Sequence, residues 1–248
     1  MNQLEASATT DSSPAPILAR SSYASRHDRR RLETRARMLR ALMKLLARKS
    51  LADVPIHEIT ETADVGGGTF YNHFTDRASI HGALTAELLT GWRDALAAAI
   101  PLRQDPAETL GLRLRLAVQR AGLDQDWADY LVATAFRPGM AGMPFDLGMA
   151  EPIEAGILQS KFTPTAVDVT RRAILGLATA TLHSVSGNPA KAAVEAVQAT
   201  RFTLALLGIA GAETDRIVAL PLPTVTWDDN ILVRRAHARR LAETGATA

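Results

Sequence analysis

The sequence predicts an all-α protein, with an N-terminal three-helix unit containing a helix-turn-helix and a larger helical body behind it. Three observations predict it. Apolar residues recur at helical spacing along most of the chain, and no segment shows the period of two of a half-buried strand. Glycines and prolines break the pattern at Gly122, Pro138-Gly139, Pro144, Pro164 and Gly187-Asn188-Pro189, which leaves helix-sized pieces between them.

Over residues 31–49 the apolar stripe is Leu32, Ala36, Leu39, Leu42 or Met43, and Leu46, with a basic opposite face. This helix ends near Ser50, because Pro55 disfavours helix just before it. Pro55 suits the first turn of a short second helix, whose stripe is Ile56, Ile59 and Ala63. Asp64-Val65-Gly66 reads as a turn, and residues 68–74 (GTFYNHF) as a third short helix. Thr75-Asp76 supplies a cap for a longer helix from Arg77 to about Ile100, which Pro101 stops. Two short helices joined by a tight turn, beside a basic first helix, have the outline of a helix-turn-helix. Further helices are predicted near 106–121, 125–136, 149–160, 164–186, 189–210 and 213–220. Residues 137–150 read as a Gly-, Pro- and Met-rich mobile loop and 221–227 as extended. The last stretch, 228–243, reads as a basic helix whose default role is a solvated face.

The chain has 248 residues, 47% of them hydrophobic and 5% aromatic, enough to bury a sizeable core. It has no cysteine, which excludes disulfide scaffolds, Cys-type zinc sites, iron–sulfur ligation and thiol nucleophiles, and fits a reducing cytoplasm. No apolar run is long enough for a transmembrane helix. The first residues are rich in Ser, Thr, Ala and Pro, lack the pattern of a signal peptide, and predict a disordered arm over 1–28. Net charge is only +2, but Arg20 to Lys49 holds eleven basic residues against Asp28 and Glu33. That segment carries +9 and the remainder −7, so a polyanion is the expected partner of the N-terminal end. On charge alone, a basic tail plus a solvated helix face explains the run equally well.

Residues 31–84 resemble the DNA-binding domain of the TetR/AcrR family of bacterial regulators. Ile59, Ala63, Val65, Gly68-Thr69-Phe70-Tyr71, His73-Phe74 and Arg77 carry the resemblance, and the string GTFYNHFTDR matches the family motif closely. It implies that the second short helix enters the major groove of DNA. Tyr71 and His73 would then contact phosphates, Thr69 and Asn72 would lie near base edges, and Phe70 and Phe74 would lock the helix from behind. Arg77 would meet a phosphate at the next helix start. His57, Gly67, Gly68 and the basic residues Arg29, Arg30, Arg31 and Arg35 complete the expected DNA face. The chain departs from the family pattern at Asp64, where glycine is usual, and at Gly66-Gly67, where a serine and a long basic residue are usual. A helix starting near Gly68 with little side-chain readout over 66–68 is expected, with Arg26, Arg29, Arg30 and Arg31 reaching a minor groove in compensation.

No enzyme site emerges. His57-Glu58 begins like a metalloprotease motif, but Glu61 stands where the second histidine belongs. The glycine run 66–68 is followed by Thr69 without the lysine of a phosphate loop, and no nucleophile elbow occurs. The histidines form no metal-ligand spacing, and neither a metal nor a cofactor is expected.

The helices predicted over 164–186 and 189–210 are more apolar than surface helices need to be. By the resemblance they form a dimer interface as a four-helix bundle, with Ile174, Leu177, Ala178, Thr181, Val197, Thr200, Leu204 and Leu207 expected at the contact. The middle helices would enclose a small apolar or amphipathic effector. Trp92, Trp127, Tyr130, Phe136, Arg137, Met140, Met143, Phe145 and Phe162 are candidate lining residues, though each also suits the core. The domains expected are the arm 1–28, a DNA-binding domain 29–84 with its motif about 55–74, an effector and dimerisation domain 85–220, and an extension 221–248. The reading is a homodimeric repressor on a palindromic operator of double-stranded DNA. The alternative is a constitutive architectural DNA binder whose C-terminal part only dimerises or binds a protein. A membrane-surface role is disfavoured, because the apolar stripe of the basic helix is needed for the helix-turn-helix core.

Overall fold

The computed structural model describes residues 26–100, 105–136 and 148–225. The expectations for the arm 1–25, the Met-rich loop over 137–147 and the basic segment 228–243 lie outside the described residues. Among the described residues the protein is all-helical. It runs α1 (Arg26–Leu46), a 3-10 turn (Leu51–Asp53), α2 (Ile56–Thr62), a second 3-10 turn (Gly67–Asn72), α3 (Arg77–Ala99), α4 (Pro106–Leu123), α5 (Gln125–Thr134), α6 (Ala150–Leu158), α7 (Val167–Val185), α8 (Pro189–Leu206) and α9 (Gly211–Ala219).

Local chemistry sets most of the boundaries. The Asp76 side chain accepts from the Ser79 amide while Ser79 bonds back to the Asp76 amide, a closed capping box that starts α3. Asp105 accepts from the amides of Ala107 and Glu108 ahead of Pro106, and Asn188 accepts from Lys191 ahead of Pro189. Asp124 caps α5 through the Trp127 amide. Several expected boundaries shift, the end of α1 among them, at Leu46 rather than near Ser50. Helix α1 begins at Arg26 rather than 31, with Asp28 in its first turn and an Arg29–Glu33 pair (3.6 Å) one turn apart along it, so Arg29, Arg30 and Arg31 sit on helical turns and not on a loose arm. Helix α7 begins at Val167 rather than 164, because the Thr163 amide is donated across to the Leu207 carbonyl (3.0 Å) and Ala166 is extended. Helix α8 ends at Leu206 rather than 210, where Gly208 turns left-handed at φ +82 and the Ile209 amide returns to the Leu204 carbonyl.

The core centres on α4, whose Leu110, Leu112, Leu114, Leu116 and Val118 are all buried. Its most extensive partner is α8, and two glycines bring the neighbours in. A Cβ on Gly111 would stand 2.6 Å from Ile217 Cγ2, and one on Gly122 would stand 2.6 Å from Ala192 Cβ and 3.1 Å from the Asn188 carbonyl oxygen. Buried Arg115 donates to the Leu220 carbonyl (2.8 Å), the C-cap of α9, where a cation suits the negative end of the helix. At the N-terminus of α4 an ionic cluster joins three segments. Lys161 meets Asp105 (3.1 Å) and Glu213 (3.2 Å), while Arg216 meets Glu213 (2.8 Å) and Glu108 (2.6 Å). Hydrogen bonds from Arg216 and then Lys161 pull the Glu213 carboxyl down from 4.5 to about 2. The N-terminal helices attach to the body through α1 on α5, with Lys44 and Asp126 paired at 3.2 Å.

Two outcomes follow. Gly122→Ala should destabilise by about 1–3 kcal/mol through overpacking against backbone. Gly82→Ala, where a Cβ meets open space on α3, should be neutral or stabilising. Urea unfolding of both variants checks this pair. Because the Glu213 carboxyl is depressed, its stabilisation is complete above pH 4.5 and drains away as pH falls toward 2. Urea midpoints measured across that range should fall less steeply in Glu213→Gln than in the parent.

Candidate nucleic-acid interface

The turn after α2 explains one departure in the sequence. Asp64 is left-handed (φ +51), a conformation that glycine adopts most easily and aspartate tolerates better than most residues. Arg37 of α1 secures it, with Nη2 donating to the Asp64 carbonyl and to its carboxylate (3.0 Å). The Val65 amide closes the turn on the Thr60 carbonyl (2.9 Å). Gly66 is extended, and Gly67–Asn72 then forms a 3-10 turn rather than the short α-helix expected from Gly68. Consecutive glycines weaken α-helix, and a six-residue piece is held by its packing instead.

That packing is aromatic. Phe70 is fully buried and Phe74 nearly so, with ring centroids 5.7 Å apart. They hold the turn down and leave Tyr71 and Asn72 on the outside, Tyr71 at 65% exposure. Thr69 is half-buried, Gly67 and Gly68 are exposed, and His57 is exposed on α2. Arg29, Arg30 and Arg31 are exposed on the first turns of α1, and Arg31 Nη2 reaches the Asn72 carbonyl at 3.4 Å. The basic start of α1 and the end of the turn therefore form one surface. His73 sits at its edge, held below the ordinary imidazole range first by burial and then by the guanidiniums of Arg31 and Arg35.

Two of the residues expected at DNA also make contacts within the protein. Arg35 is largely enclosed, 4.6 Å above the Phe74 ring and 3.9 Å from Glu87 of α3. Arg77 turns its Nη1 onto the protein's own carbonyls at Ala52 (2.7 Å), Val54 (3.3 Å) and Leu51 (3.5 Å), clamping the first 3-10 turn to α3. Both hold the unit together. Arg37 was missed, because only the left-handed backbone at Asp64 reveals why a cation is needed there.

In the body, Trp92 of α3 and Trp127 of α5 are brought together, buried, with centroids 5.5 Å apart and planes tilted by 31°. Tyr130 is fully buried one turn further along α5. Phe162, a member of the same buried core, packs onto Gly156, where a Cβ would stand 2.1 Å from its ring, and Phe136 is 63% exposed. Arg137, Met140, Met143 and Phe145 lie outside the described residues. A polar side chain not anticipated is Arg113 of α4, which donates to the Gly148 carbonyl (2.5 Å) and Glu151 (2.7 Å) and lies close to the α3 residue Leu96 through Gly148.

The residues expected at a dimer contact lie mostly inside the chain. Ile174, Ala178, Thr181, Thr200, Leu204 and Leu207 are buried within the single chain, and Leu177 and Val197 are half-buried. The outward face of the α7–α8 pair carries Val169, Ala173, Ala180, Val194, Phe202 and Leu206 instead. Val194 and Phe202 are 65% and 63% exposed.

Among the described residues no group of His, Cys, Asp or Glu could hold a metal ion, and no helix is long and apolar enough to cross a membrane. The elements define an all-helical protein whose N-terminal part joins α2 to a 3-10 turn through a tight turn, ahead of a larger set of helices. No protein-family model matches the chain, nor does any curated protein sequence. Among solved structures it is similar to RolR in complex with the ligand resorcinol, at 27% identity and a TM-score of 0.52, over 79% of this chain and 98% of that one. RolR without ligand matches at 25% identity and a TM-score of 0.49, over 77% and 100% of the two chains.

The left-handed turn gives a direct check. Asp64→Gly keeps the conformation and loses the carboxylate partner of Arg37, whereas Asp64→Ala loses both. Asp64→Ala should therefore be less stable than Asp64→Gly by about 1 kcal/mol in thermal or chemical unfolding.

Proposed function

We propose that the chain is a sequence-specific, DNA-binding transcriptional regulator, a homodimeric repressor released from a palindromic operator by a small-molecule effector. The observation that carries this reading is the exposed Tyr71–Asn72 edge, held over buried Phe70 and Phe74 and flanked by exposed Arg29, Arg30 and Arg31. A short turn presented this way fits the major groove, and the arginines fit the adjoining phosphates. The absence of any catalytic grouping in the sequence favours a regulator over an enzyme, acting in the cytoplasm.

The outward apolar face of α7 and α8 supports the dimer. Exposed side chains such as Val169 on α7 and Val194 and Phe202 on α8 match a self-complementary two-fold contact. Two-fold symmetry in the protein is what a palindrome requires, with half-sites roughly 34–36 Å apart per helical turn. The likeness to RolR solved with resorcinol supports a small hydroxylated aromatic as the effector class. The Trp92–Trp127 pair offers ring surface, and Arg113 lies on the α4 side of α3. Helix α3 runs from this region to the capping box beneath the recognition turn, so a ligand that prefers one α3 position shifts the spacing of the two turns in a dimer.

Selection from a random duplex pool at about 150 mM salt should return one palindrome. Adding resorcinol or a related phenol should release it, as read by a mobility shift. The bare glycine run at 66–68 favours a second reading, an architectural binder, and that reading gains if binding is salt-sensitive but no motif is recovered. Val194→Glu/Phe202→Glu should give a monomer by light scattering and reduce operator affinity by at least tenfold while leaving the helical content intact.

A further inference from the structure

The glycines of this fold divide sharply by what the chain itself asks of them. Gly111, Gly122 and Gly156 sit where a Cβ would clash at under 3 Å, and Gly148, Gly187 and Gly208 have left-handed backbone. Each is required by packing or conformation. Gly66, Gly67 and Gly68 are required by neither. Their φ values lie outside the left-handed region, and all three are exposed. A Cβ on Gly67 or Gly68 would meet nothing within 4 Å, and one on Gly66 only the Thr69 hydroxyl at an ordinary 3.6 Å. Gly82, Gly176 and Gly211 are open too, but singly. A run of three gives up backbone order in the one segment that must be held in shape for Tyr71 and Asn72 to be presented.

We propose that Gly66, Gly67 and Gly68 form a side-chain-free surface that packs against the operator at main-chain distance, so that this stretch selects DNA by the fit of the groove rather than by side-chain hydrogen bonds to bases. The proposal rests on the DNA-binding reading above and makes these glycines specificity-determining residues of it. Each Cβ that the fold would accept is one the duplex would refuse. Side-chain readout then falls to Tyr71, Asn72 and the half-buried Thr69, and the positions opposite the glycines are read through groove width and deformability.

The test is the double variant Gly67→Ala/Gly68→Ala in the full chain, with Gly82→Ala as a control for open-glycine replacement outside the surface. Melting temperature should rise by a few degrees in the double variant, since alanine restricts the unfolded chain. Affinity for the duplex recovered from the random pool should fall at least tenfold, while affinity for random duplex changes by less than about twofold and the salt slope is kept. Gly82→Ala should bind as the parent does. Unchanged operator affinity overturns the proposal, as does a lowered melting temperature, which would mean that the fold needs the glycines. A parallel loss on operator and random DNA also overturns it, because the glycines would then admit any duplex. If the parent protein recovers no preferred sequence, the regulator reading fails first, and the proposal fails with it.

Discussion

The outward presentation of the turn at 67–72 depends on the burial of two phenylalanine rings. Six residues, two of them glycines, carry too little intrinsic helical preference to hold a conformation alone. Phe70 and Phe74 supply it by filling the space behind the turn, each ring contributing about 1.5–3 kcal/mol of burial. Because adjacent side chains on a tight turn point different ways, sinking Phe70 forces Tyr71 out. The Phe74 ring also lies under Arg35, which reaches on to Glu87, so one aromatic joins α1, the turn and α3. The exposed surface is thus a by-product of the buried one.

The cations of the basic segment have separate uses that charge alone does not distinguish. Arg37 secures a left-handed turn, Arg35 bridges helices, and Lys44 ties α1 to α5. Arg29, Arg30 and Arg31 remain on the exposed surface beside the turn. A local charge of +9 thus serves internal architecture at its middle and leaves three exposed guanidiniums at its beginning. The body shows the same economy with glycine, which lets α4 approach α8 and α9 closely and bury Leu110, Leu112, Leu114, Leu116 and Val118.

Much of this was legible in the chain. Asp76, Asp105-Pro106 and Asn188-Pro189 announce helix starts, because a cap is a contact over two or three residues. The GTFYNHF string marked the place of the element and its aromatic lock, though not its 3-10 form. The start of α1 was not legible, since a run of arginines reads as a loose arm until the Arg29–Glu33 spacing is seen as a helical pair. The outward face of α7 was not legible either. Ile174 and Ala178 on one side and Ala173 and Ala180 on the other are all small or apolar, so periodicity alone cannot say which side faces the core.

The sequence by itself determined the all-helical class, the order of the elements, most of the caps and the place of the helix-turn-helix. These follow from interactions between residues at most a few positions apart, which the chain carries wherever it goes. Only the tertiary structure decided which arginines are spent inside, which face of the α7–α8 pair is turned outward, and which glycines the fold does without. Those outcomes depend on partners such as Arg77 with Ala52, or Arg115 with Leu220 across 105 positions, and contacts that distant exist only once the helices have packed.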